Sequence, residues 1–146
     1  MYDAGTEPKP IFSALGPLYR ALVPLSWLLL RCAAGGLLLV HGYAKIGHLD
    51  TVVATMTRLG LSPQQPLAWI VTLTETMGAV GVVLGLFTRF FAAACAIDLA
   101  VITFDVFMPQ GFLRGEGTLL WGLVFLAIAL RGRGPLSIDR LIGREL

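Results

Sequence analysis

The sequence predicts an all-α fold: an integral-membrane bundle of four helices with both termini in the cytoplasm. Three observations carry that expectation. Of the 146 residues 56% are hydrophobic and only 14% charged, where a soluble domain carries about 25% charged residues. Four apolar stretches approach the roughly 20 residues that a helix needs to cross a hydrocarbon core of about 30 Å. The cations are distributed unevenly about those stretches.

Composition also sets limits on function. It excludes a disordered chain, a coiled coil and a basic nucleic-acid binder, because a net charge of +2 is too small to hold DNA electrostatically. No nucleic-acid partner is expected; the lipid bilayer is. Two cysteines can neither frame a disulfide-stapled domain nor complete a four-cysteine metal or iron–sulfur site. The mean hydropathy of +0.79 points the same way.

The first 20 residues read as a polar tail with prolines at 8, 10 and 17 and a short interfacial helix around Tyr19. The expected spans are residues 21–44, 67–87, 90–108 and 116–130, followed by a basic cytoplasmic tail over 132–146. Gly60, Ser62, Pro63 and Pro66 supply turn residues before the second span, where proline suits a helix start. Pro109 and Gly111 break the chain after the third, and Gly132, Gly134 and Pro135 stop the fourth. The fourth is short, at 15 residues. It is expected to start below the membrane surface or to borrow a turn from residues 111–115.

Orientation follows from the positive-inside rule. With four spans, the termini share one side with the loop after span two. That side carries Lys9, Arg20, Arg89, Arg131, Arg133, Arg140 and Arg144, against Lys45, Arg58 and Arg114 on the other. Arg31 interrupts the apolar run 24–36, so the first helix is expected to be an uncleaved span rather than a signal peptide.

Ionisable residues inside a bilayer cost about 2.5 to 3.5 kcal/mol each on insertion scales, so they turn toward the bundle and mark function. Arg31, Glu75 and Asp98 fall near the middle of spans one, two and three and are the candidates for a buried polar, proton-exchanging group. A second tier, His41, Lys45, Asp105 and Glu116, falls nearer the outer face and is the candidate ligand pocket. Helical spacing groups Arg31, Gly35, Gly42 and Lys45 on one stripe and Glu75, Gly78, Gly85 and Arg89 on another. Asp98 and Asp105 share a face. Glycines on those stripes let backbones approach closely.

Two readings of the middle tier stand side by side. Arg31 and Glu75 could form a buried ion pair that sets helix register without chemistry. Alternatively, one cation cannot neutralise two mid-membrane carboxylates, which leaves a carboxyl able to exchange a proton with a bound ligand. In the second tier, a histidine, a lysine and two acids are the donors and acceptors that a quinone site uses. Lys45 and Glu116 also lie at helix ends, where charges snorkel to water.

Other cofactors are argued down. His41 and His48 are seven apart on one segment, whereas a bis-histidine haem needs ligands on opposing faces. Cys32 and Cys95 form no Cys-x-x-Cys pair and read as small apolar residues. There is no glycine-rich nucleotide fingerprint and no phosphate loop. No metal and no intrinsic cofactor are expected, with quinone as a bound substrate.

The chain resembles the DoxX family of small four-helix membrane proteins. Across roughly residues 25 to 142 the resemblance rests on Arg31 and Gly35, His41, Gly42 and Lys45, and Leu59 and Gly60. It continues with Glu75, Gly85 through Thr88 to Arg89, Gly115 and Glu116, and Gly132, Gly134, Ser137 and Asp139. The resemblance implies a four-helix bundle in a bacterial cytoplasmic (inner) membrane. It further implies links to thiosulfate–quinone oxidoreduction, to quinone and electrophile stress, and to complexes with thiol-redox and superoxide-handling enzymes. Three readings follow. One is a quinone- or quinol-interacting subunit of a redox system whose partner holds the electron centre, an enzyme only in that accessory sense. The others are a structural or assembly subunit and a small proton-coupled carrier. Other protein subunits or further copies of the chain are the expected protein partners.

Overall fold

The structure is a computed structural model that describes residues 13–132, 134 and 136–143. The first twelve residues, Arg133, Pro135 and the last three lie outside the described residues, and with them the expectations for Pro8, Lys9, Pro10 and Arg144. Among the described residues every regular element is helical.

Four helices are long and apolar enough to cross a membrane. The first, α1, runs Gly16–Ile46 over 31 residues, with Pro17 in its opening turn. It is about 46 Å long at 1.5 Å per residue and outruns both the hydrocarbon core and the expected 21–44. Residues assigned to the polar tail, Gly16 to Arg20, belong to this helix. The second span, α3, runs Gln64–Leu84, and the third, α4, runs Thr88–Gln110. The fourth, α5, runs Phe112–Arg131 over 20 residues. It starts four residues before the expected Glu116 because the chain re-enters a helix immediately after Gly111, whose φ of +117 turns it. A last short helix, α6 (Ile138–Ile142), lies within the expected tail.

Between the first two spans, ahead of the turn expected over residues 60–66, stands a further helix, α2 (Leu49–Arg58). Its apolar residues Leu49, Val52, Val53 and Met56 follow the i, i+3, i+4, i+7 pattern of one helical face. Val52 and Met56 are buried against Ala68 of α3. Asp50 opens the helix and Arg58 closes it, each sign favourable to the helix dipole.

Helices α1 and α3 pack along their length, as do α4 and α5; α3 joins the two pairs, while α1 touches α5 only sparingly. The central core contains Trp27, Leu38, Val82, Cys95, Leu99, Phe125 and Ile128. Leu37, Val40 and Leu120 stay 62%, 68% and 65% exposed. That outer apolar surface faces lipid tails as oily as leucine, so helix association here rests on close packing and interhelical hydrogen bonds.

Two spans depart from α-helical geometry. Within α3, Thr74–Gly78 forms a π-helical turn, and within α4, Ile102–Phe107 forms another. Such turns widen the helix, displace carbonyls from the i→i−4 ladder and occur often at functional sites. Threonine hydroxyls supply donors around them: Thr76 Oγ1 to Thr72 O at 2.7 Å, and Thr103 Oγ1 to Leu99 O at 2.6 Å.

Candidate functional site

The wide turn of α3 carries Glu75, whose side chain is 2% exposed. Its Oε1 accepts from Lys45 Nζ at 2.5 Å, joining the end of α1 to the middle of α3. Asp98 of α4 lies near enough to Glu75 for the two carboxyl groups to act on each other. Glu75 Oε2 and Asp98 Oδ2 are both buried and find no donor among the described residues. One ammonium therefore faces two carboxyl groups, drawn from three different helices.

Local sequence explains how these groups meet. Gly42 of α1 presses on the α3 backbone at this level; a Cβ there would lie 2.6 Å from the Glu75 carbonyl carbon. Only glycine admits so close an approach, and one further turn of α1 then delivers Lys45 to the carboxylate. On the opposite side of α3, Cys95 Sγ lies 3.7 Å from the Thr74 carbonyl, to which it donates. The thiol thus serves a π-turn carbonyl, and its burial against Gly78 agrees with the small apolar role expected of it.

Lys45 and Asp98 line one cavity of about 520 Å³ between α2 and α4. Val52 and Met56 of α2, Val71 of α3, and Val101, Ile102 and Phe107 of α4 form its apolar walls, and Arg58 is part of the lining. That size falls within the roughly 300–1,000 Å³ usual for small-molecule sites, which combine apolar walls with a few placed polar groups. A groove of about 500 Å³ between α4 and α5 has no ionisable residue in its lining. Its two threonines turn their hydroxyls onto carbonyls of their own helices.

Arg31 is not part of this cluster. It is 2% exposed and lies beside Gly85, where a Cβ would stand 2.7 Å from its Nη1. Glu75 and Gly85 are about 15 Å apart along α3 at 1.5 Å per residue, so the ion pair of Arg31 with Glu75 does not form. Instead the Arg31 guanidinium donates to Leu136 O, with the Asp139 carboxylate near enough to act on it. Asp139, itself 2% exposed, accepts from Phe87 N at 2.8 Å, Thr88 N at 2.9 Å and Thr88 Oγ1 at 2.7 Å. Its own backbone N–H donates to Gly85 O at 2.9 Å. A carboxylate from the segment after α5 thus caps the N-terminus of α4, whose first N–H groups lack a helical partner.

The DoxX family model matches residues 26–108, more than half of the chain. The chain belongs to the DoxX family. It is 29% identical over 131 residues to inner membrane protein YphA of Escherichia coli K12, covering 84% of this chain and 94% of that one. It is 27% identical over 118 residues to an uncharacterized protein of Haemophilus influenzae, covering 75% and 85% respectively. No solved structure matches it. With four membrane-crossing helices, this DoxX protein is a multi-pass protein of the bacterial inner membrane.

The remaining sequence candidates of this DoxX chain lie apart from the carboxyl pair. His41 is exposed on α1 and meets the Trp121 ring edge-on at 5.4 Å. Asp105, within the second π turn, and Glu116, in the second turn of α5, are both exposed. Of the outer tier only Lys45 joins Glu75 and Asp98. Arg58 was expected only as an outer-side cation and Asp139 only as a matching motif residue. The apolar period of α2 signalled Arg58; for Asp139 the signal was the absence of a local cap ahead of Thr88.

Proposed function

We propose that this protein binds a lipid-soluble quinone or quinol in the cavity between α2 and α4, as the membrane subunit of a redox system. The observation that carries the reading is the pair of buried, donor-less oxygens, Glu75 Oε2 and Asp98 Oδ2, beside a cavity with apolar walls. A quinol hydroxyl in the cavity supplies the donor that Asp98 Oδ2 lacks, and the apolar walls suit its ring. The carboxyl pair takes the proton that leaves the hydroxyl when the ligand is oxidised, and returns it on reduction. The electrons pass to or from a partner protein holding a redox centre, because the sequence has no haem, iron–sulfur or nucleotide motif. The cation bias supports placing the Gly85–α6 end of the bundle in the cytoplasm.

The test is titration of the purified protein, in detergent and stripped of lipid, with a short-chain 1,4-benzoquinol under anaerobic conditions. Saturable binding that Asp98→Asn and Glu75→Gln each weaken about tenfold, the worth of a hydrogen bond to a charged group, supports the reading. Absent binding, or binding indifferent to both changes, overturns it. A second reading, an assembly subunit, is favoured by the closed Lys45–Glu75 ion pair, which locks helix register whether or not a ligand binds. A protein that carries no quinone through native purification yet stays with its partner supports that one.

A further inference from the structure

The cavity beside Asp98 is lined by polar groups from α1, α2 and α4, and their engagement differs. Thr51 Oγ1 donates to His48 O at 2.7 Å and Thr55 Oγ1 to Thr51 O at 3.0 Å, so both hydroxyls are engaged on the backbone. Lys45 Nζ gives one of its three N–H donors to Glu75. Two groups of the lining have no partner among the described residues: Asp98 Oδ2, buried and without a donor, and the exposed Arg58 guanidinium, which makes no ion pair. From Asp98 to Val106 the cavity follows α4 for about 12 Å at 1.5 Å per residue. That length holds one ring with an oxygen at each end.

We propose that Arg58 is the specificity-determining residue of this cavity: it binds an oxygen at one end of a ring whose opposite hydroxyl meets Asp98. The pocket therefore selects rings oxygenated at both ends over rings carrying one hydroxyl. This rests on the ligand reading of the preceding section and adds the selection rule to it. A basic residue in the last turn of α2 also suits the helix dipole, but lysine serves that purpose equally. The planar, forked guanidinium is what differs, since it offers two parallel donors to one oxygen-bearing edge.

The experiment compares anaerobic binding of a short-chain 2-alkyl-1,4-benzoquinol with that of the 3-alkylphenol bearing the same chain, which differs from it by one hydroxyl. Wild type, Arg58→Gln, Arg58→Lys and Asp98→Asn are measured side by side, with thermal unfolding as the control for folding. Wild type binds the quinol about tenfold more tightly than the phenol, the size expected of a charge-assisted hydrogen bond reduced by partial exposure. Arg58→Gln closes that gap and leaves the phenol unchanged, Arg58→Lys closes part of it, and Asp98→Asn weakens both ligands by a similar factor. A gap that survives Arg58→Gln, full retention of it by Arg58→Lys, or no gap in wild type overturns the role of Arg58. The ligand reading then stands, provided Asp98→Asn still weakens both. If wild type binds neither compound, both proposals fall together.

Discussion

The Lys45 ammonium and the Glu75 carboxylate meet at 2.5 Å, tying the last turn of α1 to a widened turn in the middle of α3. The pair is lopsided. Glu75 is almost fully buried and Lys45 is 27% exposed, so the two partners do not cost the same to lose. Lys45→Met strands a buried carboxylate and is expected to destabilise by about 2 kcal/mol, below the full range for removing one partner of a buried pair because the lysine is partly hydrated. Adding Glu75→Gln to that variant removes the stranded charge and recovers at least half of the loss. Unfolding in mixed micelles of the two single variants and the double variant closes this cycle. A double variant as unstable as the sum of the singles refutes the coupling.

Gly42 tests the geometry beneath the pair. Gly42→Ala places a methyl group 2.6 Å from the Glu75 carbonyl carbon, too close for any rotamer change to relieve. The helices must separate, with an expected cost of about 1–3 kcal/mol, as for other overpacked interfaces. Gly36, on the same helix, has nothing within 4 Å of its added Cβ. Gly36→Ala is expected to be neutral or slightly stabilising, since alanine favours a helix over glycine by up to about 1 kcal/mol. Thermal unfolding of the two proteins in one detergent decides it, and equal effects contradict the packing described.

At the other end of the bundle, Asp139→Ala removes the acceptor of three hydrogen bonds and uncaps α4. The expected loss is about 2–3 kcal/mol, the sum of a lost N-cap and a stranded buried hydroxyl. Asp139→Asn keeps one acceptor oxygen and loses less. Because the segment after α5 is held through this residue, limited proteolysis is expected to cut it faster in Asp139→Ala than in wild type. Unchanged cleavage shows that the segment is held by other contacts.

His41, Asp105 and Glu116 are exposed and lie outside the cavity lining. His41→Ala, Asp105→Asn and Glu116→Gln are each expected to shift stability by no more than about 0.5 kcal/mol, the usual range for surface changes. Binding of the benzoquinol is expected to stay within twofold of wild type by ~0.4 kcal/mol, under a third of the tenfold interval. Loss of binding in any one of them moves the ligand away from the α2–α4 cavity.

Much of the fold was legible because a bilayer imposes a simple rule: backbone groups inside it must bond within their own helix, so long apolar runs become spans. Span boundaries were less so, since a helix continues past the apolar run for as long as the ladder costs nothing to extend, as α1 does from Gly16 to Arg20. Helix α2 was legible in its apolar period but overshadowed by the turn residues that follow it. The paired glycines Gly35 and Gly42 were read as close-approach positions, and each has an α3 backbone carbonyl within 3 Å of where its Cβ would stand.

The partners of the buried charges were decided elsewhere. Composition and periodicity alone determined that this chain is a four-span bundle and that Arg31, Glu75 and Asp98 lie among apolar residues. The stripe expected to run from Glu75 through Gly85 to Arg89 is broken where Gly85, with its φ of +68, ends α3. Only tertiary structure decided that Glu75 takes Lys45, that Arg31 takes the chain beyond α5, and that α2 roofs a cavity over Asp98. Periodicity records the face on which a side chain lies, but it carries no information on how far one helix slides along its neighbour. That sliding is set by close contacts such as Gly42 on Glu75. A shift of two turns exchanges every partner while leaving each helix, taken singly, the same.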